Sequence, residues 1–519
     1  MRGLSDIVGA STLRDRWEQR VSARGACTFL VFEDEAGTVS SFSYREFDDE
    51  VNRTANLLSS QGVRKGERVV TLMRTCPDLL ICLIALAKIG AVTVPLSERS
   101  RPDELRYAVE RAQAVLAVTT SALAGPLRDL AAEGLLSRGV LTCADLARAR
   151  ASASPALRQR VRLLPEDPVE VMFTSGTTAR PKGVLVTHAN MVFSGVYGAW
   201  QTALRPDDRL LTTMPACHSN FQLAALTPVI EAGATLVMVQ RYSASRFWDQ
   251  VRAHRATVAQ CVAMMLRTLL LQPRSHLDRA HGLRELLYFQ SVTDRQKGEF
   301  EERFGVSLMN TYGSTESICW VLTDPPLGPR RWPSVGRPGL GYEVRIADGD
   351  DREVPAGSVG EIQVRGVRGR TLMAGYLDDA DATARAFAPD GWMRTGDQGY
   401  RDADGWFYFV ERKANLIKRA GRSISAIEVE DVLSRHPAVD EAAVVGVDDP
   451  IRDQEVCAFV RLVPDARLTP DQVRAFCAEH LADYKVPTRV LVVDEFPRTP
   501  SMKVEKRRLA QMARTTRMG

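Results

Sequence analysis

Residues 171–188, VMFTSGTTARPKGVLVTH, contain the pattern that decides the fold of this chain. Two apolar runs, 171–173 and 184–186, predict a pair of buried strands. Between them lie four hydroxyl residues, a glycine and a lysine, namely Thr174, Ser175, Gly176, Thr177, Thr178 and Lys182. Glycine lets the backbone approach an anion, successive N–H groups can surround it, and lysine adds a point charge. The pattern therefore predicts a polyphosphate-binding loop, although its spacing is not a Walker A motif and a solvated Ser/Thr-rich hairpin turn is the alternative.

Composition narrows the classes of function. The 519 residues are enough for two or more domains, and the apolar (45%) and charged (25%) fractions are those of an ordinary globular protein. A net charge of +4 is too close to balance to indicate a nucleic-acid-binding protein. The nine cysteines show no zinc-site spacing and are odd in number, which predicts reduced thiols.

The hydrophobic pattern predicts neither a signal peptide nor a membrane span. The first twenty residues lack the basic-then-apolar order of a signal peptide. The most hydrophobic run, 79–96, contains Lys88 and Gly90, so it predicts a helix followed by a strand inside a core. We therefore expect a cytoplasmic protein.

Predicted strands and helices alternate from about residue 28 to 303, which indicates a large N-terminal α/β domain with helix-covered sheets. Short strands between Pro/Gly turns predict a small β subdomain at about 333–410. The remaining residues, 415–519, predict a small α+β lid domain of reasonable domain size. The expected domains are thus 1–414 and 415–519.

Residues 310–316, NTYGSTE, form a second informative segment. Tyr312 offers an aromatic face next to the accessible backbone of Gly313. Thr315 supplies a hydroxyl, and Glu316 supplies an oxygen ligand suited to Mg²⁺. The alternative interpretation is an ordinary helix start, because serine and threonine are good N-caps.

Three further segments contain candidate site residues. Asp397 follows a Gly turn, where its two oxygens can accept bonds from both ribose hydroxyls; a loop aspartate that caps a turn is the alternative. Lys418 and Gly421 lie in a basic loop, and Lys503 lies in a basic tail, either of which could simply be solvated.

These segments, in this order, resemble the motifs of the adenylate-forming (AMP-binding) enzyme superfamily, which includes acyl-CoA synthetases, peptide-synthetase adenylation domains and luciferases. Tyr376, Glu361 and residues 334–337 also fit. The segments RRWPSVGR (330–337), YFV (408–410) and NLIKR (415–419) resemble the carnitine- and crotonobetaine-type CoA ligases in particular.

The resemblance implies a role for each matching residue. Residues 174–178 and Lys182 would hold the phosphates of ATP, Tyr312 would stack on adenine, and Thr315 would contact phosphate. Glu316 would hold Mg²⁺. Asp397 and Arg412 would bind the ribose, Lys503 would act in adenylation, and the loop with Lys418 and Gly421 would cover the site in the second half-reaction. His218 matches a gating or pocket-wall position, although a histidine packed at a helix start is an equal alternative.

Several positions depart from the family pattern. Ala179 and Met502 replace glycines. The resemblance also implies a mobile C-terminal lid with its hinge near Ala414, where relatives commonly have a charged residue. Gln290 and Ser291 replace smaller residues beside the acyl pocket. Together with Cys217, His218, Asn220 and Gln260, they predict a pocket for a small or polar acid.

The predicted function is therefore ATP-dependent adenylation of a small or polar carboxylic acid, with release of pyrophosphate and transfer to CoA. One alternative is a natural-product enzyme with a different acceptor, such as a carrier protein in trans or an amine, including nitrite activation for diazo formation. A non-catalytic nucleotide-binding protein is a second alternative. Assembly as a homodimer stays open.

Overall fold

A computed structural model describes residues 6–174, 181–289, 292–412, 415–419, 422–498 and 504–515, without the side chains of Arg412 and Ser423. The residues fall into two compact units. The first unit contains Met1–Val292, Gln296–Val344 and Val364–Met393, and the second contains Thr293–Arg295, Arg345–Gln363 and Arg394–Gly519.

The strands of the described residues, in chain order, are β1 Thr28–Glu33, β2 Val39–Ser43, β3 Arg68–Leu72, β4 Val92–Leu96, β5 Leu116–Thr119, β6 Val140–Thr142, β7 Pro168–Thr174, β8 Lys182–Thr187, β9 Arg209–Thr212, β10 Thr235–Val239, β11 Val258–Val262, β12 Glu285–Phe289, β13 Leu308–Gly313, β14 Trp320–Thr323, β15 Arg337–Pro338, β16 Glu343–Ala347, β17 Gly360–Arg365, β18 Gly375–Tyr376, β19 Met393–Arg401, β20 Phe407–Arg412, β21 Ile417–Arg419, β22 Arg422–Ile424, β23 Val439–Asp449, β24 Asp453–Leu462 and β25 Arg489–Val492.

The α-helices of the same residues are α1 Leu13–Arg24, α2 Tyr44–Ser60, α3 Pro77–Ile89, α4 Pro102–Ala112, α5 Ala124–Ala132, α6 Cys143–Arg150, α7 His188–Gln201, α8 Ser219–Phe221, α9 Thr227–Ala232, α10 Phe247–Ala253, α11 Ala263–Leu270, α12 Asp294–Phe304, α13 Ala380–Ala386, α14 Ala426–Leu433, α15 Pro470–His480 and α16 Lys506–Thr515. A π-helical turn, Gln222–Leu226, joins α8 to α9.

Two large sheets form the framework of the first unit. In the described residues, one has the strand order β15-β14-β13-β12-β11-β9-β10-β1-β2 and the other has the order β18-β8-β7-β4-β3-β5-β6. The inner strands from β1 to β13 in the first sheet run parallel, as do β3 to β7 in the second. Strands such as β10, β11 and β12 are buried along their whole length, which explains their largely apolar sequences.

The hydrophobic run at 79–96 forms a helix and a strand, as the sequence predicts. Every residue from Leu79 to Ile89 of α3 is buried, which is expected of a helix that is apolar on all sides. Gly90 ends the helix in the left-handed conformation with φ 74°. β4 then follows, so the run lies within the core of the first unit.

Most of the second unit is built from two smaller sheets. Within the described residues one has the order β16-β17-β19-β20, and the other has the order β22-β21-β24-β23 with β25 beside β24. The latter sheet packs its apolar side chains against α14 and α15 on one side and against α16 on the other. These elements give the α+β character that the sequence predicts.

The fold class predicted from the sequence is confirmed. The 171–188 segment forms the antiparallel pair β7 and β8, and residues 310–313 end a strand instead of starting a helix. One helical segment is not a regular α-helix, because a π-helical turn lies between α8 and α9. Pro228 has no N–H for the carbonyl of Ala224, so a regular α-helical bond cannot form there.

Candidate active site

The stem of the predicted phosphate loop is well defined. Thr174 at the end of β7 pairs with Lys182 at the start of β8, so both side chains lie where the loop leaves the sheet. The Tyr107 hydroxyl donates a hydrogen bond to the Pro181 carbonyl at 3.0 Å, which fixes the backbone beside Lys182. The loop residues Ser175, Gly176, Thr177 and Thr178 lie outside the described residues.

Glu316 approaches this stem from a distant part of the chain. Its Oε1 lies 3.5 Å from the Thr174 hydroxyl, although 142 positions separate the two residues. Gly313, at the end of β13, permits a close backbone approach, because a Cβ there would lie 2.4 Å from the Cys319 carbonyl oxygen. Tyr312 is half-buried beside this glycine. The structure thus brings Thr174, Lys182 and Glu316 to one edge of the first unit.

Tyr376 connects the two groups. Its hydroxyl donates to Glu316 Oε1 at 3.1 Å, and Lys182 Nζ lies 4.8 Å from the centroid of its ring. The backbone around Tyr376 is hydrogen-bonded on both sides: Met373 N donates to the Glu316 carbonyl at 3.0 Å, and Leu377 N donates to the Gly183 carbonyl at 2.7 Å. The sequence alone gives Tyr376 no role, since no local pattern reveals a contact across 60 positions.

A second polar group lies next to Glu316. The hydroxyls of Thr315 and Ser219 are 3.2 Å apart, and Ser219 Oγ is 3.5 Å from His218 Nδ1. His218 caps the short helix α8, since its Nδ1 accepts from Asn220 N at 3.3 Å. In the neutral imidazole this assigns the proton to Nε2. His218 therefore caps a helix start, and it also lies one residue from a hydroxyl that contacts Thr315.

Gln260 holds the backbone of the neighbouring segment. It is fully buried, and its Nε2 donates to the Ala224 carbonyl at 2.6 Å and to the Asn220 carbonyl at 3.3 Å. Thr212 donates to its Oε1 at 3.0 Å. The Ala224 carbonyl is the one that Pro228 leaves without a helical donor. Gln260 thus stabilises the π-helical turn, an arrangement that suits a residue shaping a pocket wall.

Two titratable side chains in or near residues 217–220, those of Cys217 and Glu170, are neutral near pH 7. Burial raises the pKa of Cys217 to about 12, so its thiol stays protonated and is not a nucleophile. Burial also raises the pKa of Glu170, in β7, to about 8. Both groups are close enough to interact electrostatically. The interior behind residues 217–220 therefore carries no fixed charge from these two side chains near neutral pH.

The second unit contains the predicted ribose-binding residues. Asp397 and Arg412 are opposite each other in the β19–β20 pair. Asp397 is buried, and its N–H donates to Thr395 Oγ1 at 3.1 Å, while Gly396 N donates to Glu361 Oε1 at 2.9 Å. Asp397 is therefore held in a defined turn.

Lys418 lies on the short hairpin of β21 and β22, with its N–H bonded to Gln454 Oε1 at 2.8 Å. The remaining predicted site positions lie outside the described residues, as does the hinge residue: Gln290, Ser291, Ala414, Gly421, Lys503 and, for its side chain, Arg412.

The donor set around Glu316 fits a magnesium ion. The available ligand is the Glu316 carboxylate, with the Thr174 hydroxyl 3.5 Å from its Oε1, and hard oxygen donors suit Mg²⁺. Within the described residues, no group of three or more His, Cys, Asp and Glu side chains could hold a metal ion by itself. Proteins commonly bind Mg²⁺ through one or two carboxylates together with substrate phosphates, so one glutamate is sufficient.

Comparison with known proteins identifies the family. The model of the AMP-binding enzyme family matches residues 17–377, and that of the AMP-binding enzyme C-terminal domain matches residues 428–503. The chain belongs to the AMP-binding enzyme family. Its similar relatives include crotonobetaine/carnitine–CoA ligases from Salmonella enteritidis PT4, 42% identical, and Salmonella typhimurium LT2, 41% identical. Each alignment covers 97% of this chain and 100% of the relative.

Solved structures agree in fold. ATP-bound MatB from Rhodopseudomonas palustris superposes with a TM-score of 0.88 at 25% identity, covering 97% of this chain and 99% of that one. The o-succinylbenzoate CoA synthetase MenE from Bacillus subtilis, in complex with its acyl-adenylate, gives 0.84 at 27% identity, with coverages of 95% and 97%.

The prediction of an adenylate-forming acid–CoA ligase is thereby confirmed, and such relatives imply the use of ATP and CoA. The size and polarity of the acid stay a prediction. A role in natural-product biosynthesis finds no support in these relatives. In the part of the chain that the structure describes, no helix is both long and apolar enough to cross a membrane.

Proposed function

We propose that this AMP-binding enzyme uses Mg²⁺·ATP to activate a small, polar carboxylic acid of the carnitine or crotonobetaine type and then forms its CoA thioester. The observation that carries the proposal is the meeting of Thr174, Lys182 and Glu316 around Tyr376. This meeting combines a cation for phosphate with a carboxylate for metal. Similarity to crotonobetaine/carnitine–CoA ligases over 97% of the chain supports the substrate class.

Each predicted site residue has a role in this proposal. Lys182 and residues 174–178 hold the β- and γ-phosphates, Tyr312 packs on adenine beside Gly313, and Thr315 contacts phosphate. Bound Mg²⁺ would reduce the charge on the phosphate oxygens, with Glu316 as its protein ligand. Asp397 accepts from the ribose hydroxyls, with Arg412 opposite it. Lys503 contacts the substrate carboxylate and the α-phosphate.

The chemistry consists of two displacements. In the first, a carboxylate oxygen attacks the α-phosphorus of ATP, and the bond to the pyrophosphate leaving group breaks. This step depends on positioning and charge neutralisation more than on covalent participation of the protein. In the second, the thiol of CoA loses its proton and its sulfur attacks the acyl carbon, with AMP as the leaving group. The proposal includes rotation of the C-terminal domain near Ala414 between the two steps, with Lys418 and Gly421 turned toward the site in the second.

The pocket side of the proposal rests on residues 217–220. His218, Ser219 and Asn220 are half-buried polar residues that follow the β9 strand, and Ser219 contacts the Thr315 hydroxyl. Gln260 supports this segment from behind, and Gln290 and Ser291 complete the polar set in the proposal. A long alkyl chain is disfavoured in such a pocket, because it would cover the polar groups of the wall without offering them hydrogen-bond partners, and this costs free energy.

The proposal also includes a cytoplasmic location, where ATP and CoA are available. Homodimer formation and delivery to a carrier protein are not part of it.

The test is a product analysis with ATP, Mg²⁺ and CoA over four acids. These are carnitine, crotonobetaine, a long-chain fatty acid and a neutral carbon isostere in which a tert-butyl group replaces the trimethylammonium group. We expect AMP, pyrophosphate and a thioester, identified by mass, from carnitine or crotonobetaine. The isostere should show a kcat/KM lower by about tenfold or more, as for loss of a desolvated cation–π or charge interaction of about 1.4 kcal/mol. Preference for the fatty acid would contradict the proposed substrate class.

A second experiment tests the nucleotide chemistry with one site variant and one control variant. Glu316→Gln should reduce pyrophosphate release with every acid, because the proposed metal ligand loses its charge. Arg352→Gln removes an exposed charge far along the chain and serves as the control, with turnover unchanged. Full activity of Glu316→Gln at limiting Mg²⁺ would contradict the role given to this glutamate.

A further inference from the structure

Tyr376 has two separate interactions that the proposed chemistry does not use. Its hydroxyl donates to Glu316 Oε1 at 3.1 Å, and its ring lies under the Lys182 ammonium at 4.8 Å. Thr174 Oγ1 also lies 3.5 Å from the same Oε1. One carboxylate oxygen of Glu316 is therefore engaged by two hydroxyls, and the same tyrosine supports the lysine of the phosphate loop.

Backbone hydrogen bonds join the chain around Tyr376 to the segments that contain Glu316 and Lys182. Met373 N donates to the Glu316 carbonyl at 3.0 Å, and Leu377 N donates to the Gly183 carbonyl, next to Lys182, at 2.7 Å. Tyr376 itself is opposite Val184 in the pairing of β18 with β8, and its N–H donates to Thr383 Oγ1 at 2.9 Å. The phenol thus reaches Glu316 from a backbone segment that is hydrogen-bonded on both sides.

We propose that Tyr376 is a positioning residue that orients the Glu316 carboxylate, which would hold the divalent ion, and holds Lys182 ready for the nucleotide phosphates. This inference deepens the proposed function and rests on its assignment of the metal to Glu316. The hydroxyl donates to Oε1, and hydrogen bonds to a carboxylate that binds a metal ion orient that carboxylate and tune its affinity. The ring restricts the lysine before ATP binds, which reduces the side-chain entropy lost on binding.

Two substitutions separate the two interactions. Tyr376→Phe keeps the ring under Lys182 and removes only the donor to Glu316. Tyr376→Leu removes both the donor and the aromatic face. Tyr107→Phe is the matched control, because it also removes a tyrosine hydroxyl that contacts the phosphate-loop stem, at Pro181, without touching Glu316.

The measurement is binding, independent of turnover. Mn²⁺ is titrated by electron paramagnetic resonance into full-length enzyme saturated with the α,β-methylene analogue of ATP, and the dissociation constant of the analogue is measured by calorimetry at saturating Mg²⁺. Tyr376→Phe should weaken Mn²⁺ binding about tenfold, the lower end of the effect of losing an outer partner of a metal ligand. Its affinity for the analogue at saturating Mg²⁺ should stay within about twofold of wild type, since the cation–π contact remains.

Tyr376→Leu should show the same loss of Mn²⁺ affinity and a further weakening of analogue binding by about threefold, within the range of an exposed cation–π contact. Unchanged or tighter analogue binding by this variant would overturn the role of the ring. Equal Mn²⁺ affinities of wild type and Tyr376→Phe would overturn the role of the hydroxyl. An equal loss in Tyr107→Phe would overturn it too, because the effect would then come from general disturbance of the loop stem.

Glu316→Gln in the same titration distinguishes failure of this inference from failure of the proposed function. If Glu316→Gln binds Mn²⁺ as tightly as wild type, the metal assignment itself is wrong. If Glu316→Gln loses Mn²⁺ while Tyr376→Phe retains it, the metal assignment stands and only the positioning role of Tyr376 is wrong. Circular dichroism of each variant at the titration temperature checks that the proteins are folded.

Discussion

Replacing Glu170 with glutamine should change the pH dependence of stability in a defined way. Glu170 lies in the middle of β7, four positions before Thr174, and its side chain is fully buried. Neither of its carboxylate oxygens has a hydrogen-bond partner of ordinary geometry among the described residues. Burial raises its pKa from 4.5 to about 8, and the Gln222 side chain only partly opposes this shift.

The size of this pH dependence follows from the difference between the pKa of Glu170 in the folded protein and its pKa in the unfolded chain. Above pH 4.5 the unfolded chain releases the Glu170 proton, whereas the folded protein keeps it until about pH 8. Raising the pH across this window therefore favours unfolding, by about 1.4 kcal/mol for each pH unit. Between about pH 4.5 and pH 7.5 the wild-type protein should lose about 4 kcal/mol of stability through this one group.

The assay is urea unfolding followed by tryptophan fluorescence at several pH values. Glutamine has nearly the same shape but cannot ionise, and its amide can donate to Gln222 Oε1, which has no partner of ordinary geometry in the described structure. The free energy of unfolding of Glu170→Gln minus that of wild type should increase by about 4 kcal/mol when the pH is raised from about 4.5 to 7.5. Glu110→Gln, a substitution of an exposed glutamate on α4, is the control and should show no such trend. A difference between Glu170→Gln and wild type that stays constant with pH would refute the reasoning.

Two further predictions concern the walls of the site. Gln260→Leu should lower the free energy of unfolding by about 1–3 kcal/mol, because the Ala224 carbonyl loses its donor in the interior; urea unfolding measures this, and a neutral effect would contradict the support role of Gln260. Gly313→Ala should slow pyrophosphate release about hundredfold, since its Cβ would lie 2.4 Å from the Cys319 carbonyl and displace the neighbouring backbone. Gly349→Ala meets no atom within 4 Å and serves as the control for that assay.

The elements of the fold were largely predictable because their signals are local. The apolar runs on either side of the hydroxyl-rich loop predict β7 and β8, and the structure pairs them as neighbours. Lys88 and Gly90 within the hydrophobic run at 79–96 indicate a helix that ends and a strand that follows, and both form. Such patterns depend only on side-chain period and backbone preference, which a sequence displays directly.

The contacts that assemble the site were not predictable in the same way. The Glu316–Tyr376 hydrogen bond spans 60 positions and depends on the register of β18 against β8. The bond from Gln260 to Ala224 spans 36 positions. Pro228 gives a partial signal, because a proline within a helix leaves the carbonyl four residues earlier without its donor. The sequence does not identify which side chain replaces that donor, since Gln260 lies on β11, far from the helical segment along the chain.

Substitutions of Tyr376 and Gln260 therefore carry information that the motifs do not. Lys182 and Glu316 are the charged groups expected to meet Mg²⁺·ATP, but each contacts the same phenol, and the backbone on either side of that phenol is bonded to both of their segments. A change at Tyr376 acts on the nucleotide groups together. A change at Gln260 acts on residues 220–224 instead, because its amide bonds to the carbonyls of Asn220 and Ala224. Substrate range and nucleotide affinity should therefore respond to different supports: variants at Gln260 should alter KM for the acid before KM for ATP, and variants at Tyr376 should do the reverse.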